Sequence, residues 1–158
     1  MFTVRSSGFA VVPIERLVGM KIERFEDIEG WQLGRTLSKA IYSVSRKGEF
    51  ARDYGLRDQI QRASGSIMHN IAEGFDGGSN AEFVKFLRYS KRSCTEVQSE
   101  LWVALDQEYV NEIEFKKLYE MARTARSKIG AFIRYLDEFE KKKKQTPRTK
   151  TPPESNRE

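Results

Sequence analysis

The sequence of 158 residues has one cysteine, one histidine and no apolar run long enough to cross a bilayer. A lone cysteine, Cys94, cannot close an intrachain disulfide, so nothing calls for an oxidising compartment. Cys94 also falls on an apolar seam described below, which marks it as a buried structural thiol rather than a reactive one. A lone histidine, His69, excludes a multi-histidine metal site, and the paired Glu-x-x-His motifs of a di-iron bundle are missing. His69 reads instead as a packed or surface side chain. Asp76-Gly77-Gly78 lacks the lysine and the strand context of a phosphate-binding loop. The N-terminus has a single early Arg5 and no continuous apolar core behind it, so it does not read as a signal peptide. No segment alternates as a strand. These absences leave no catalytic residue, metal or cofactor to name, and they predict a cytoplasmic, non-enzymatic protein with no membrane association.

What is present is a helix-forming composition, with 39% hydrophobic and 32% charged residues. The length suits one domain with a real core. The net charge of +5 is concentrated: residues 141–158 hold seven basic and two acidic residues, which accounts for the whole excess. Residues 1–140 are formally neutral, so any nucleic-acid surface on the body must come from local segregation of charge. The tail also has three prolines and no large apolar residue, and it is expected to be disordered. Residues 1–19 carry only short, interrupted apolar pieces and read as an unstructured extension. Organised sequence opens at Met20, where translation is expected to start naturally.

Between these ends, residues 20–140 carry four amphipathic segments. The first, about Asp27 to Arg46, has acids in its first turn and a stripe of Leu33, Leu37, Ala40 and Val44, widened by Trp31 and Ile41. The second, about Gly55 to Glu73, has a seam of Leu56, Ile60, Ala63, Ile67 and Ile71. Its small residues Ala63 to Ser66 cost helix propensity, which predicts a close helix neighbour there. Gly74 is placed as the left-handed residue that ends this helix. Glu73 then faces the negative end of the dipole and needs a compensating partner, with Asn70 on the same face. Ser79-Asn80-Ala81-Glu82 and Asn111-Glu112-Ile113-Glu114 are capping-box patterns, the second with Val110 and Phe115 as its staple. They open a third segment that runs to about Asp106 with its seam on Phe83, Leu87, Ser90, Cys94, Val97, Leu101 and Ala104. The fourth has its seam on Phe115, Leu118, Ala122, Ala125, Ile129, Phe132, Leu136 and Phe139. The seam stops at Glu140. Four helices with short connections predict an all-α, antiparallel up-down-up-down four-helix bundle.

Lys85, Arg88 and Arg92 recur on one face of the third helix with Lys91 beside them, and Arg123, Arg126, Lys128 and Arg134 add charge to the fourth. Such a face attracts phosphates without reading sequence. The acids Glu96, Glu100, Glu120 and Asp137 share these helices and weigh toward an ordinary solvated face. Phe86, Tyr89 and Trp102 lie off the core seam, either as subunit or partner contacts or as completions of the monomer core. Arg62, Asn70 and Glu73 read as structural polar anchors of a helix junction.

The runs Lys21 to Ile28, Tyr54-Gly55-Leu56, Gln59 to Ala63, Ser66-Ile67, Asn70-Ile71-Ala72-Glu73-Gly74 and Glu82-Phe83, with Ser93 and Glu96, resemble the four-helix-bundle proteins encoded within intervening sequences of bacterial 23S rRNA genes. The likeness covers about 20–139. Met68-His69 replaces the family's usual proline and small residue, and the loop 48–53 lacks its usual proline. The resemblance implies a closed homo-oligomer, typically a pentameric ring. It also implies a similarity to the accessory protein of diversity-generating retroelements, which binds nucleic acid and a reverse transcriptase. It supplies no enzymatic activity. Two functional expectations follow: binding of structured RNA or DNA through basic helix faces, or a scaffold that docks a protein partner.

Overall fold

Side-chain caps set the starts of three helices in the computed structural model, which describes residues 22–145. After a short turn at Phe25–Asp27, α1 spans Glu29–Ser45. A second turn, Phe50–Arg52, leads to α2, Tyr54–Asp76, whose cap is Asp53: its Oδ1 accepts from the Leu56 amide at 3.0 Å. Ser79 caps α3, Asn80–Asp106, by accepting from the Glu82 amide at 3.2 Å. Asn111 and Glu114 exchange two bonds, 2.8 and 3.0 Å, at the start of α4, Glu112–Gln145. Both expected capping residues are thus in place, and the staple residues Val110 and Phe115 are both buried.

The helices form a ring in chain order, with α1 closing against α4. Cross-helix contacts run in opposing register, as antiparallel neighbours require. Gln61 and Ser64 of α2 reach Ser45 and Ser38 of α1. Arg88 and Arg126 meet Asp137 and Thr95 across α3 and α4. All described secondary structure is helical, as the periodicity predicts.

The core follows the predicted seams on α2 and α3 closely. On α4 it includes Gly130 and Ile133, while Phe132 is only partly buried. The first helix departs more. Its buried row is Gly30, Gly34, Leu37, Ile41 and Ser45, and Leu33, Ala40 and Val44 are only partly covered. Small residues let α1 approach its neighbours: a Cβ on Gly34 would sit 2.9 Å from Ile67 Cγ2, and one on Gly30 2.9 Å from Ile129 Cγ1.

The end of α2 also differs from the sequence reading. Gly74 lies inside the helix, which continues to Asp76, and the positive-φ glycine is Gly78 at +81°. Gly74 is glycine because α3 crosses there: a Cβ would stand 2.5 Å from Phe86 Cβ. The close helix neighbours predicted for Ala63 to Ser66 are present at the serines, where Ser64 lies 3.5 Å from Ser38 of α1 and Ser66 3.1 Å from Ser93 of α3, but not at Gly65, where only His69 of the same helix comes within 4 Å of the Cβ position. Helix α4 passes Glu140 and includes Lys141 to Gln145, five residues that the sequence places in the tail. The 1–19 extension and the remainder of the tail lie outside the described residues.

Candidate nucleic-acid interface

Helix α3 is fixed by its inner face. Ser90 donates to the Ile67 carbonyl of α2 at 2.7 Å, a fully buried bond. Ser93 donates to Ser66 at 3.1 Å, and Asn70 donates to the Ser66 carbonyl and hydroxyl at 2.8 and 2.9 Å. With Ser90 and Ser93 turned inward, the helical period turns Arg88, Lys91, Arg92 and Thr95 outward beside α4. There they line a groove with Arg126, Gly130, Ile133, Arg134 and Asp137. Gly130 and Ile133 form its buried floor, and the Lys91 Nζ lies 3.8 Å from where a Gly130 Cβ would stand.

Five cations therefore share one groove with one carboxylate. Asp137 holds Arg88 at 3.1 Å, and both side chains are substantially exposed, so water screens that pair. Arg126 is oriented by Nε donation to Thr95 Oγ1 at 3.1 Å. Guanidinium forks held this way suit phosphate oxygens, which take bidentate donors. No acid other than Asp137 lines the groove.

Of the predicted basic residues, Arg88, Lys91, Arg92 and Arg126 meet here, joined by Arg134. Lys85 is exposed, with its Nζ 5.9 Å from the Tyr89 ring. Arg123 lies nearly a turn from Arg126 and is held by Glu120 at 3.2 Å. Lys128 belongs to a different, largely apolar groove between α1 and α4, where it pairs with Glu29 at 3.2 Å.

The predicted anchors divide. Asn70 is built into the α2–α3 junction. Arg62 is exposed and reaches only the Asp58 carbonyl of its own helix, at 3.4 Å. Glu73 is exposed and makes no hydrogen bond or ion pair with the described residues, so its expected compensating partner is not found among them. Solvent takes that part for an outward-pointing carboxylate.

Phe86 is half-buried, its Cβ packed over Gly74, and so completes the monomer junction. Tyr89 remains 37% exposed and Trp102 51% exposed. Trp102 rests on Phe115 and Tyr119, with ring centroids 4.6 and 6.2 Å away.

Sequence reasoning misses Glu100. Its charge groups it with the solvated acids, yet it is 8% exposed and its Oε2 has no hydrogen-bond partner among the described residues. Burial, with Glu96 beside it, pushes its carboxyl up to about 7. Its position seven residues after the inward-facing Ser93 is the signal that could have found it. The described residues contain no cluster of His, Cys, Asp or Glu that could hold a metal ion, and no helix among them is long and apolar enough to cross a membrane.

The sequence model of the 23S rRNA-intervening sequence protein family matches residues 26–131. That span takes in Arg88, Lys91, Arg92 and Arg126 and stops short of Arg134 and Asp137. Among solved structures, a protein with unknown function from the S23 ribosomal protein family of Bacteroides thetaiotaomicron is similar. Its TM-score is 0.61 at 18% identity, over 66% of this chain and 97% of that one. At that identity the likeness speaks to the fold alone. No curated protein matches the sequence.

Proposed function

The chain belongs to the 23S rRNA-intervening sequence protein family, and we propose that it binds nucleic acid, RNA first, by laying the phosphate backbone in the groove between α3 and α4. The observation that carries this reading is the convergence of Arg88, Lys91, Arg92, Arg126 and Arg134 on one groove with Asp137 as its only acid. Residues 1–140 as a whole are formally neutral, so this segregation is local. The recognition is of backbone rather than sequence, because the groove offers cations and no set of groups directed at base edges. Assembly into the closed homo-oligomer that the family resemblance implies would repeat the groove around a ring and raise avidity for a long polyanion.

Reversal of two groove charges, Arg92→Glu with Arg126→Glu, tests the reading in the full-length chain. Binding of a fluorescent structured RNA should weaken at least ~10-fold. The slope of log K against log salt should also flatten by about 0.7–0.9 for each phosphate that the variant no longer neutralises. Lys128→Gln, outside the groove, should change neither. If the double variant binds like the parent, the groove is not the site. A salt-insensitive interaction would favour the scaffold reading instead.

A further inference from the structure

The basic groove does not end at Arg126. Thr95 and Trp102 are seven residues apart on α3, hence on one face and about 10 Å apart along it. Arg126 and Tyr119 are seven apart on α4. The two pairs meet across the helices in one register: Arg126 bonds Thr95 at 3.1 Å, and Trp102 lies 6.2 Å from Tyr119. The cationic track therefore runs on to an indole. Between Thr95 and Trp102 that face of α3 carries Gln98 and Ser99 and no acid. On α4, Arg123 sits between Arg126 and Tyr119, with Glu120 as its exposed partner. The indole is braced by Phe115 and Tyr119 yet half of its surface is open.

We infer that the ligand of the groove is a single-stranded segment, whose backbone follows Arg88, Lys91 and Arg126 while an unpaired base stacks on Trp102. This rests on the groove reading of the previous subsection and narrows it to a ligand class. A cationic track that ends on an aromatic platform is the arrangement that grips single strands without regard to sequence. A duplex satisfies the cations equally but keeps its bases inside its own stack, out of reach of the ring. Trp102 thus discriminates strand form, while the cations supply affinity for either form.

The chain has two tryptophans, so Trp31→Phe leaves Trp102 as the sole indole reporter in the full-length protein. A 12-nucleotide oligouridylate should quench its emission, and a blunt RNA duplex of the same length should not. Trp102→Ala should weaken oligouridylate binding about tenfold, a cost typical of one stacked base, and leave duplex binding unchanged. Trp102→Phe should restore most of the loss, which separates stacking from any damage to the fold. Equal quenching by both ligands, or an unchanged affinity of Trp102→Ala for oligouridylate, overturns the inference. The Arg92→Glu, Arg126→Glu protein tells the two levels apart. If charge reversal weakens both ligands while Trp102→Ala spares the single strand, stacking alone is wrong. If charge reversal affects neither ligand, the groove reading falls with it.

Discussion

Gly74→Ala puts the close crossing of α2 and α3 to a direct test. The added Cβ would stand 2.5 Å from Phe86 Cβ, 3.1 Å from Phe83 Cδ2 and 3.2 Å from Phe86 Cγ. Comfortable carbon–carbon contact is about 3.5–4.0 Å, so α2 and α3 must part locally by about 1 Å. Phe86 Cβ is one bond from its backbone and cannot swing aside, unlike the end of a long side chain. Overpacking of this kind costs about 1–3 kcal/mol. Replacement of glycine by alanine inside a helix returns about 1 kcal/mol. The balance is a loss of up to about 2 kcal/mol, centred near 1 kcal/mol, or about 4 °C in Tm for a domain of this size. Gly65→Ala is the matched control, because its Cβ would meet only the His69 ring at 3.3 Å, on an exposed side chain that can turn away. There the propensity gain should prevail and raise stability by up to about 1 kcal/mol. Circular-dichroism melts and urea titrations of both variants measure the two signs. If Gly74→Ala is as stable as the parent or more so, Gly74 is a propensity defect and the close crossing of α2 and α3 is wrong.

Two further outcomes follow from buried titratable groups. Glu100 has its folded pKa raised to about 7 from 4.5, so its contribution to stability is fully present below pH 4.5 and is lost as pH rises through 7. Glu100→Gln should therefore match the parent near pH 4.5 and exceed it at pH 8 by on the order of 2 kcal/mol in urea unfolding; a gain that does not depend on pH would refute the assignment. Burial pushes the Cys94 thiol up to about 12, so a thiol reagent at pH 8 should label it only after denaturant is added, and rapid labelling of the native protein would contradict its place in the core.

The elements that the sequence discloses most clearly are those whose signal is local. Ser79 with Glu82 and Asn111 with Glu114 announce the starts of α3 and α4 because a cap is satisfied within four residues. The buried face of α1 is harder to place, because its row is built from Gly30, Gly34 and Ser45, which a search for large apolar residues passes over. Gly74 misleads for a related reason. Glycine serves both a left-handed helix end and a close crossing, and only the position of Phe86 on another helix separates the two. The groove is half legible. The spacing of Arg88, Lys91 and Arg92 places them on one side of α3, but their union with Arg126 and Arg134 depends on the register of α3 against α4. Lys128, two residues after Arg126, points some 200° around the helix and finds Glu29 instead. Glu100 looks solvated because its charge argues for exposure, and only its spacing of seven from Ser93 points to the buried face.

The placement of charge follows from the way α3 is held. Its inner face is occupied by Ser90 on the Ile67 carbonyl and by Ser93 on Ser66, while Phe86 is pressed against Gly74. These contacts set both the rotation and the height of α3 relative to α2. Arg88 lies within about a turn of each of them, so the same contacts fix where the groove cations emerge. The opposite wall is set by Gly130, whose missing side chain leaves the space into which Lys91 extends beside Arg134. At the α1–α4 edge the reverse holds: Lys128 meets Glu29, with Asp27 as a second acid, and no cationic excess remains. A body that is neutral by count can thus present a cationic track on one hairpin. The close packing of α2 on α3 holds that track rigid, and a rigid track loses less entropy when a polyanion binds than flexible surface lysines would.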